Sequence, residues 1–436
     1  MNKINLFFKT CRLEGVRIAI IRTIAILMGV HISGFCEEEN EEEFLHQYRI
    51  PREDVKAPAL INTPVRRAMF YEPEKTVAVV NTCVAQVLMN YGRFLNETGT
   101  EVYGKRKKVF EAALMLPVNQ NYSRHLAENI CIQWQWEGAS EKLLERCAQV
   151  IGSRAVDKAY EKKVYLICIS SLIELGNKER AKTVLREYVS RYGKKDIHFS
   201  YPAALLSEEL GISNDKIHKA AAICKVIIQN DNLLEKYIAG KSIAVVGSGP
   251  YELGRGKGKE IDSHDVVIRF NDYQTNEYRQ DYGIRTDIWV RNIDTEGGGC
   301  NPRLNEVHNY DLVVLESNIW RFFIPEMFLD VFYQYAQKNG KRLCMLKYRD
   351  KMIQEMGSFP TSGGQLLFEL CQIRNRIQSI DVYGFSYLYP TEGNSKALKH
   401  ISDETEKMRY GNLHHNLRVE AEYLRTLMGD GTMGNL

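Results

Sequence analysis

The chain has 436 residues, too many for one ordinary hydrophobic core, so two or three domains are expected, each with a sizeable interior. Its 58 Lys plus Arg against 55 Asp plus Glu leave a net charge of +3, which removes any global electrostatic reason to expect a nucleic acid partner. Hydrophobic residues at 44% with charged residues at 26% exclude wholesale disorder. The ten cysteines stand singly, with no CxxC pair and no zinc-ligand spacing, and a reducing compartment fits them best.

Residues 1–50 read as a basic, apolar N-terminal segment followed by an acidic linker. Within residues 16–35, Arg17 and Arg22 interrupt the apolar run, and the charge-free remainder is shorter than the roughly 20 residues a spanning helix needs. No small-residue cleavage site of secretory type is evident. Two readings stand open for this segment. It is a buried element of a helical domain, or a helix laid on an anionic membrane surface by Lys3, Lys9, Arg12, Arg17 and Arg22. The expectation for the whole chain is a cytoplasmic protein in peripheral contact with the inner membrane. The Glu-rich run 37–43 reads as a solvated linker.

Residues 51–238 read as a helical domain. Val164, Ile167, Cys168, Ser171, Leu172 and Leu175 fall on one helical face that stops at Gly176. A second helix follows, with Ala181, Val184, Leu185 and Tyr188 inward and Gly193 as its stop. Gly138, Gly176 and Gly211 recur at separations that suggest loosely repeated hairpins, with a tetratricopeptide-like turn at Gly176. Such arrays bind protein partners, and a plain helical bundle is the competing reading.

The texture changes at Gly240. The runs 241–247, 266–270, 287–290, 311–316, 342–346 and 379–385 are short, apolar and β-rich, and helical patterns at 325–338 and 364–376 separate the later ones. Residues 239–436 are therefore expected to form an α/β layered domain with a mostly parallel sheet, with ligands at the carboxyl ends of its strands.

Three segments there carry chemistry. Gly247-Ser248-Gly249-Pro250, directly after a strand, would let backbone N–H groups approach a phosphate, with a following helix N-terminus adding favourable partial charge. The second strand ends Arg269-Phe270-Asn271 instead of in an acidic residue, which makes a nicotinamide cofactor a poor fit unless Arg269 meets a 2′-phosphate. Phe359-Pro360-Thr361-Ser362-Gly363-Gly364 opens an amphipathic helix that Thr361 or Ser362 can cap, a second anion-binding point. Near the C-terminus, His414 and His415 precede or begin a helix marked by Leu417, Ala421, Leu424 and Met428, and an imidazole there is placed to act as a general base. No HExxH, carboxylate cluster or Asp-x-Asp motif offers a metal site, so no cofactor or metal is expected.

Together these residues resemble glycosyltransferase family 29, the sialyltransferases. The run from Ile243 through Gly247-Ser248-Gly249-Pro250 to Asn271 and on to Asp281-Tyr282-Gly283-Ile284-Arg285-Thr286 is similar to the family's long sialylmotif. Phe359 to Gly364 with Asp381-Val382-Tyr383-Gly384-Phe385 resembles the short one, and His415 to Glu420 the very short one. The resemblance implies a GT-A-like, Rossmann-like α/β fold and an inverting, metal-independent transfer of sialic acid from CMP-sialic acid to a glycan hydroxyl. It further implies that Gly247, Ser248, Gly249 and Asn271 hold phosphate and ribose, and that Thr361, Ser362 and Gly363 meet the cytidine and carboxylate end. His415 would take the acceptor proton, His400 would neutralise the leaving phosphate, and Glu420 would have a structural or phosphate-side role. Ser248 stands where the family has asparagine, and Ile243 where animal members carry a bridging cysteine, which suggests a bacterial relative. The alternatives are another CMP-activated acidic sugar such as Kdo as donor, or a non-catalytic nucleotide-binding helical-repeat adaptor.

Overall fold

The computed structural model describes residues 127–153, 156–293, 304–338, 342–356, 360–388 and 417–428, apart from single positions within them. The N-terminal segment, the acidic run, His400 and His415 lie outside the described residues. The chain divides into two compact units, the first built mainly from residues up to Tyr188 and the second beginning at Val189.

The first unit contains α1 (Glu141–Ser153), α2 (Lys158–Glu174) and most of α3 (Lys178–Tyr192). Asp157 caps α2 by accepting the Ala159 N–H at 2.8 Å. The helix ends where Gly176 takes a left-handed φ of 76°, and Asn177 N–H reaches back to Leu172 O at 2.8 Å, a Schellman closure. The expected single inward face is broader than the spacing implied. Residues 164–172 of α2 are buried on every side, whereas Leu175 is exposed because it is the residue at which the helix turns away. In α3, Ala181, Leu185 and Tyr188 are buried as expected, and Tyr165 packs edge-on against Tyr188.

The second unit is built on a six-stranded sheet in the order β5-β4-β3-β2-β1-β6, every adjacent pair parallel. Its strands are β1 (Ser242–Val246), β2 (Val266–Phe270), β3 (Ile288–Arg291), β4 (Leu312–Leu315), β5 (Leu343–Met345) and β6 (Ser379–Tyr383). Each falls within one of the apolar runs read from the sequence, except that β3 extends one residue further, to Arg291. β2, β3 and β4 are buried at every position, the pattern of a parallel sheet covered on both faces.

The helices α4 (Tyr201–Glu209), α5 (Asp215–Gln229) and α6 (Leu233–Ile238) belong to this unit. Asn230, just past α5, donates its side-chain amide to Leu343 O at 3.0 Å, which protects the β5 edge from open pairing. The remaining helices are α7 (Gly258–Asp262), α8 (Arg279–Tyr282), α9 (Met327–Lys338), α10 (Arg349–Met356), α11 (Ser362–Gln372) and α12 (Leu417–Met428). Because β1 lies between β2 and β6, the strand order reverses at β1, and that switch point puts a crevice at the carboxyl ends of β1 and β6. Among the described residues no helix is long and apolar enough to cross a membrane.

Candidate functional site

Three turns meet at the switch point. The first follows β1 at Gly247-Ser248-Gly249, the second follows β6 at Gly384-Phe385-Ser386, and the third is the start of α11 at Thr361-Ser362-Gly363. The first two are bonded together by backbone. Gly247 N–H donates to Tyr383 O at 2.8 Å and Gly249 N–H to Gly384 O at 2.7 Å. The glycines are needed for that approach. A Cβ at Gly247 would lie 2.7 Å from Gly384 O, and one at Gly249 would run into the Ser386 hydroxyl. Gly384 itself has a φ of 68°, open to glycine at no steric cost.

These bonds change the chemistry expected of the first turn. Gly247 and Gly249 were expected to offer their amides to a phosphate, and both amides are engaged, by the last residue of β6 and by Gly384 just after it. Tyr251 N–H is held by Ser386 Oγ at 3.0 Å and Glu252 N–H by the Tyr282 phenol at 3.0 Å. Ser248 remains, and neither its N–H nor its hydroxyl has a partner among the described residues. The expected helix after this turn is also absent. Residues 250–252 make one 3-10 turn, and α7 begins only at Gly258, because Pro250 and two positive-φ glycines, Gly254 and Gly256, interrupt the path. Asp281 fixes that path by accepting Gly254 N–H at 2.9 Å and Gly256 N–H at 2.8 Å.

Asn271, directly after β2, has a left-handed φ of 44°. Its backbone is pinned on both sides, N–H to Val290 O at 3.0 Å and C=O from the Trp289 indole at 2.9 Å. Its side-chain oxygen accepts Asn292 N–H at 2.7 Å, which settles the amide orientation and turns Nδ2 toward Ser362 Oγ at 3.4 Å. The structure therefore brings Asn271 and Ser362 together. Arg269, two residues earlier, is buried and donates to Arg285 O at 3.0 Å and to Tyr282 O at 2.5 Å. It braces the 282–285 turn, and these bonds do not support the 2′-phosphate role. A recess at the ends of β1 and β2 is lined by Gly247, Ser248, Arg269, Asp272, Tyr273, Gln274 and Tyr282.

Thr361 caps α11, its hydroxyl accepting Gly364 N–H at 2.9 Å. The reciprocal half of a capping box comes from another helix. Glu420 on α12, fully buried, accepts Thr361 N–H at 2.6 Å and the Thr361 hydroxyl proton at 2.5 Å. Position 364 must be glycine for this, since a Cβ there would overlap the Glu420 carboxylate. Glu420, expected on the structural or phosphate side, is thus bonded to the α11 cap. The amides of Ser362 and Gly363, at the first two helical positions, have no intrahelical acceptor and none among the described residues.

The Phe385 ring stands between the first and third turns. A Cβ at Gly247 would lie 2.9 Å from Cδ2, and a Cβ at Gly363 would lie 2.5 Å from Cε1 on the opposite edge. Phe270 packs against the same ring at 5.8 Å between centroids and 85° between planes. The sequence offered Phe385 as an apolar strand end and as the last residue of the short-motif likeness, with no role assigned. Its signal was the aromatic directly after a glycine that closes a strand. Tyr282 and Gly384 stood in the motif likenesses without a role, and Ser386 was missed, because their partners are far away in the chain.

Below the crevice, His264 Nε2 pairs with Asp381 at 2.8 Å while Nδ1 faces the Glu260 and Ile261 carbonyls. The Asp381 hydrogen bond raises the His264 pKa against the opposing effect of burial. Burial lifts the Glu252 carboxyl above its usual range, partly offset by the Gly384 N–H that it accepts. Among the described residues no group of three or more His, Cys, Asp and Glu converges on one point.

An all-parallel α/β sheet with small-residue turns and helix-start amides at its switch point is a Rossmann-like class of fold. Residues 185–300 match the family model of glycosyltransferase family 29 (sialyltransferase). A beta-galactoside alpha-2,6-sialyltransferase 2 of Danio rerio is 50% identical over 79 residues, 18% of this chain and 14% of the relative. A CMP-N-acetylneuraminate-beta-galactosamide-alpha-2,3-sialyltransferase 1 of Homo sapiens is 27% identical over 164 residues, 36% of this chain and 47% of the relative. An alpha-N-acetylgalactosaminide alpha-2,6-sialyltransferase 1 of Gallus gallus is 21% identical over 350 residues, 69% and 57% of the two chains. The chain thus spans less than two thirds of the length of each of these relatives. They are eukaryotic, where the sequence had suggested a bacterial relative.

Proposed function

We propose that the second unit is an inverting, metal-independent sialyltransferase of GT-A-like type, moving sialic acid from CMP-sialic acid to a glycan hydroxyl. The observation that carries this reading is that the Ser248 turn and the Ser362-Gly363 turn flank the Phe385 ring, with Asn271 Nδ2 3.4 Å from Ser362 Oγ, in a chain whose residues 185–300 match the sialyltransferase family model. Fixed N–H dipoles suit this chemistry, because the leaving phosphate gains charge as its bond to the sugar breaks, and preorganised donors stabilise that charge. Ser248, Asn271, Ser362 and Gly363 contact the donor in this scheme. Gly247, Gly249, Thr361 and Glu420 hold the frame.

His415 is the proposed base that takes the acceptor proton as the acceptor oxygen attacks the anomeric carbon, and His400 the proposed partner of the departing phosphate. The basic N-terminal segment is proposed to rest on a membrane surface. CMP release from CMP-sialic acid in the presence of glycan acceptors tests the reading. His415→Ala should lower that release by about 10²–10⁴-fold while CMP still binds. Release at the wild-type rate would remove His415 as the base. Release that a chelator abolishes would remove the metal-independent scheme.

A further inference from the structure

Two turns assigned to the donor touch opposite edges of one phenyl ring. The Phe385 ring is 4% exposed, so it offers a bound ligand almost no surface of its own. Phe270 packs edge-on against it at 5.8 Å, and the backbone on either side of it is fixed by the left-handed Gly384 and by the bond from Tyr251 N–H to Ser386 Oγ at 3.0 Å. The two glycines that face it are at the limit of approach. Neither position can gain even one carbon without moving the ring, since the added atom would sit 2.9 Å from it at 247 and 2.5 Å at 363.

We propose that Phe385 is a positioning residue for the donor, its ring setting the separation between the turn at Ser248 and the first turn of α11. This rests on the donor-binding reading of the crevice. A ligand that spans both turns is matched to one separation, and a shift of either turn removes contacts at one end of that ligand. The ring therefore acts on donor affinity through Ser248, Ser362 and Gly363. Acceptor binding does not depend on that span.

The experiment is a double-mutant cycle on Gly363→Ala and Phe385→Leu, read by calorimetric titration with CMP and by the acceptor KM. Leucine is chosen because full truncation of a buried ring risks the fold. Gly363→Ala alone should weaken CMP binding about tenfold, and in the Phe385→Leu background, where the ring no longer opposes the methyl group, its cost should fall to about threefold or less. The acceptor KM should stay within about twofold throughout. An equal cost of Gly363→Ala in both backgrounds overturns the proposal.

A second readout is independent of the ligand. Amide hydrogen exchange at residues 247–249 and 362–364 should change together in Phe385→Leu, and a change confined to one turn, or none, also overturns the proposal. Failure of the wild-type protein to bind CMP would sink the donor assignment instead, and the exchange measurement would then decide the spacer role alone.

Discussion

Replacing Glu420 by alanine removes a buried carboxylate that accepts two hydrogen bonds from Thr361, at 2.6 and 2.5 Å. Hydrogen bonds to charged groups contribute about 1.5–3 kcal/mol each, and the orphaned Thr361 N–H adds a desolvation cost of similar size. The Thr361 hydroxyl keeps its bond from Gly364 N–H, so the losses do not sum fully, and about 3 kcal/mol is the expected destabilisation. For a unit of this size that is a fall of roughly 6–12 °C in its thermal midpoint.

Glu420→Gln separates charge from connectivity. Its carbonyl still accepts Thr361 N–H, and its NH₂ can donate to the Thr361 hydroxyl, so the loss should be about 1 kcal/mol. Scanning calorimetry on the wild type and both variants makes the comparison. A midpoint in Glu420→Ala within about 2 °C of wild type would refute the trans-capping account.

Asn271 allows backbone and side-chain roles to be separated, because glycine accepts its φ of 44° freely and alanine does not. Asn271→Gly should weaken CMP binding about tenfold through loss of Nδ2, and Asn271→Ala should add roughly 1 kcal/mol of backbone strain seen in the urea midpoint. Equal stability of the two variants would contradict the strain argument. For His264 the sign follows from the raised folded pKa. Its ion pair with Asp381 contributes fully below the unfolded value of about 6.5 and is lost as pH rises through the higher folded value. The stability gap between wild type and His264→Asn should therefore be larger near about pH 6 than near about pH 9, and a gap that grows with pH would contradict it.

Much of the α/β unit was legible because parallel, doubly buried strands must be written in short β-branched runs. Val266-Val267-Ile268 and Leu312-Val313-Val314-Leu315 have no other economical reading. Thr361 as a cap was legible for the same local reason. What failed was everything set by distant partners. Nothing in Gly247-Ser248-Gly249 shows that two of its amides are taken by residues 383 and 384, so the turn looked richer in donors than it is. The expected helix after it was misjudged although the signs were local, since Pro250, Gly254 and Gly256 together break a helical path. Glu420 was singled out by its distance from His415, yet its bonds run to Thr361, 59 residues earlier, where only packing of α12 on α11 could bring it.

The central claim is that the turn at Ser248 and the first turn of α11 hold one cytidylate between them. Amide hydrogen exchange of the wild-type protein with and without saturating CMP tests it directly. Slowed exchange at both Ser248 and Ser362-Gly363 is the predicted result, and slowing at only one of the two turns, or at neither, would contradict the account.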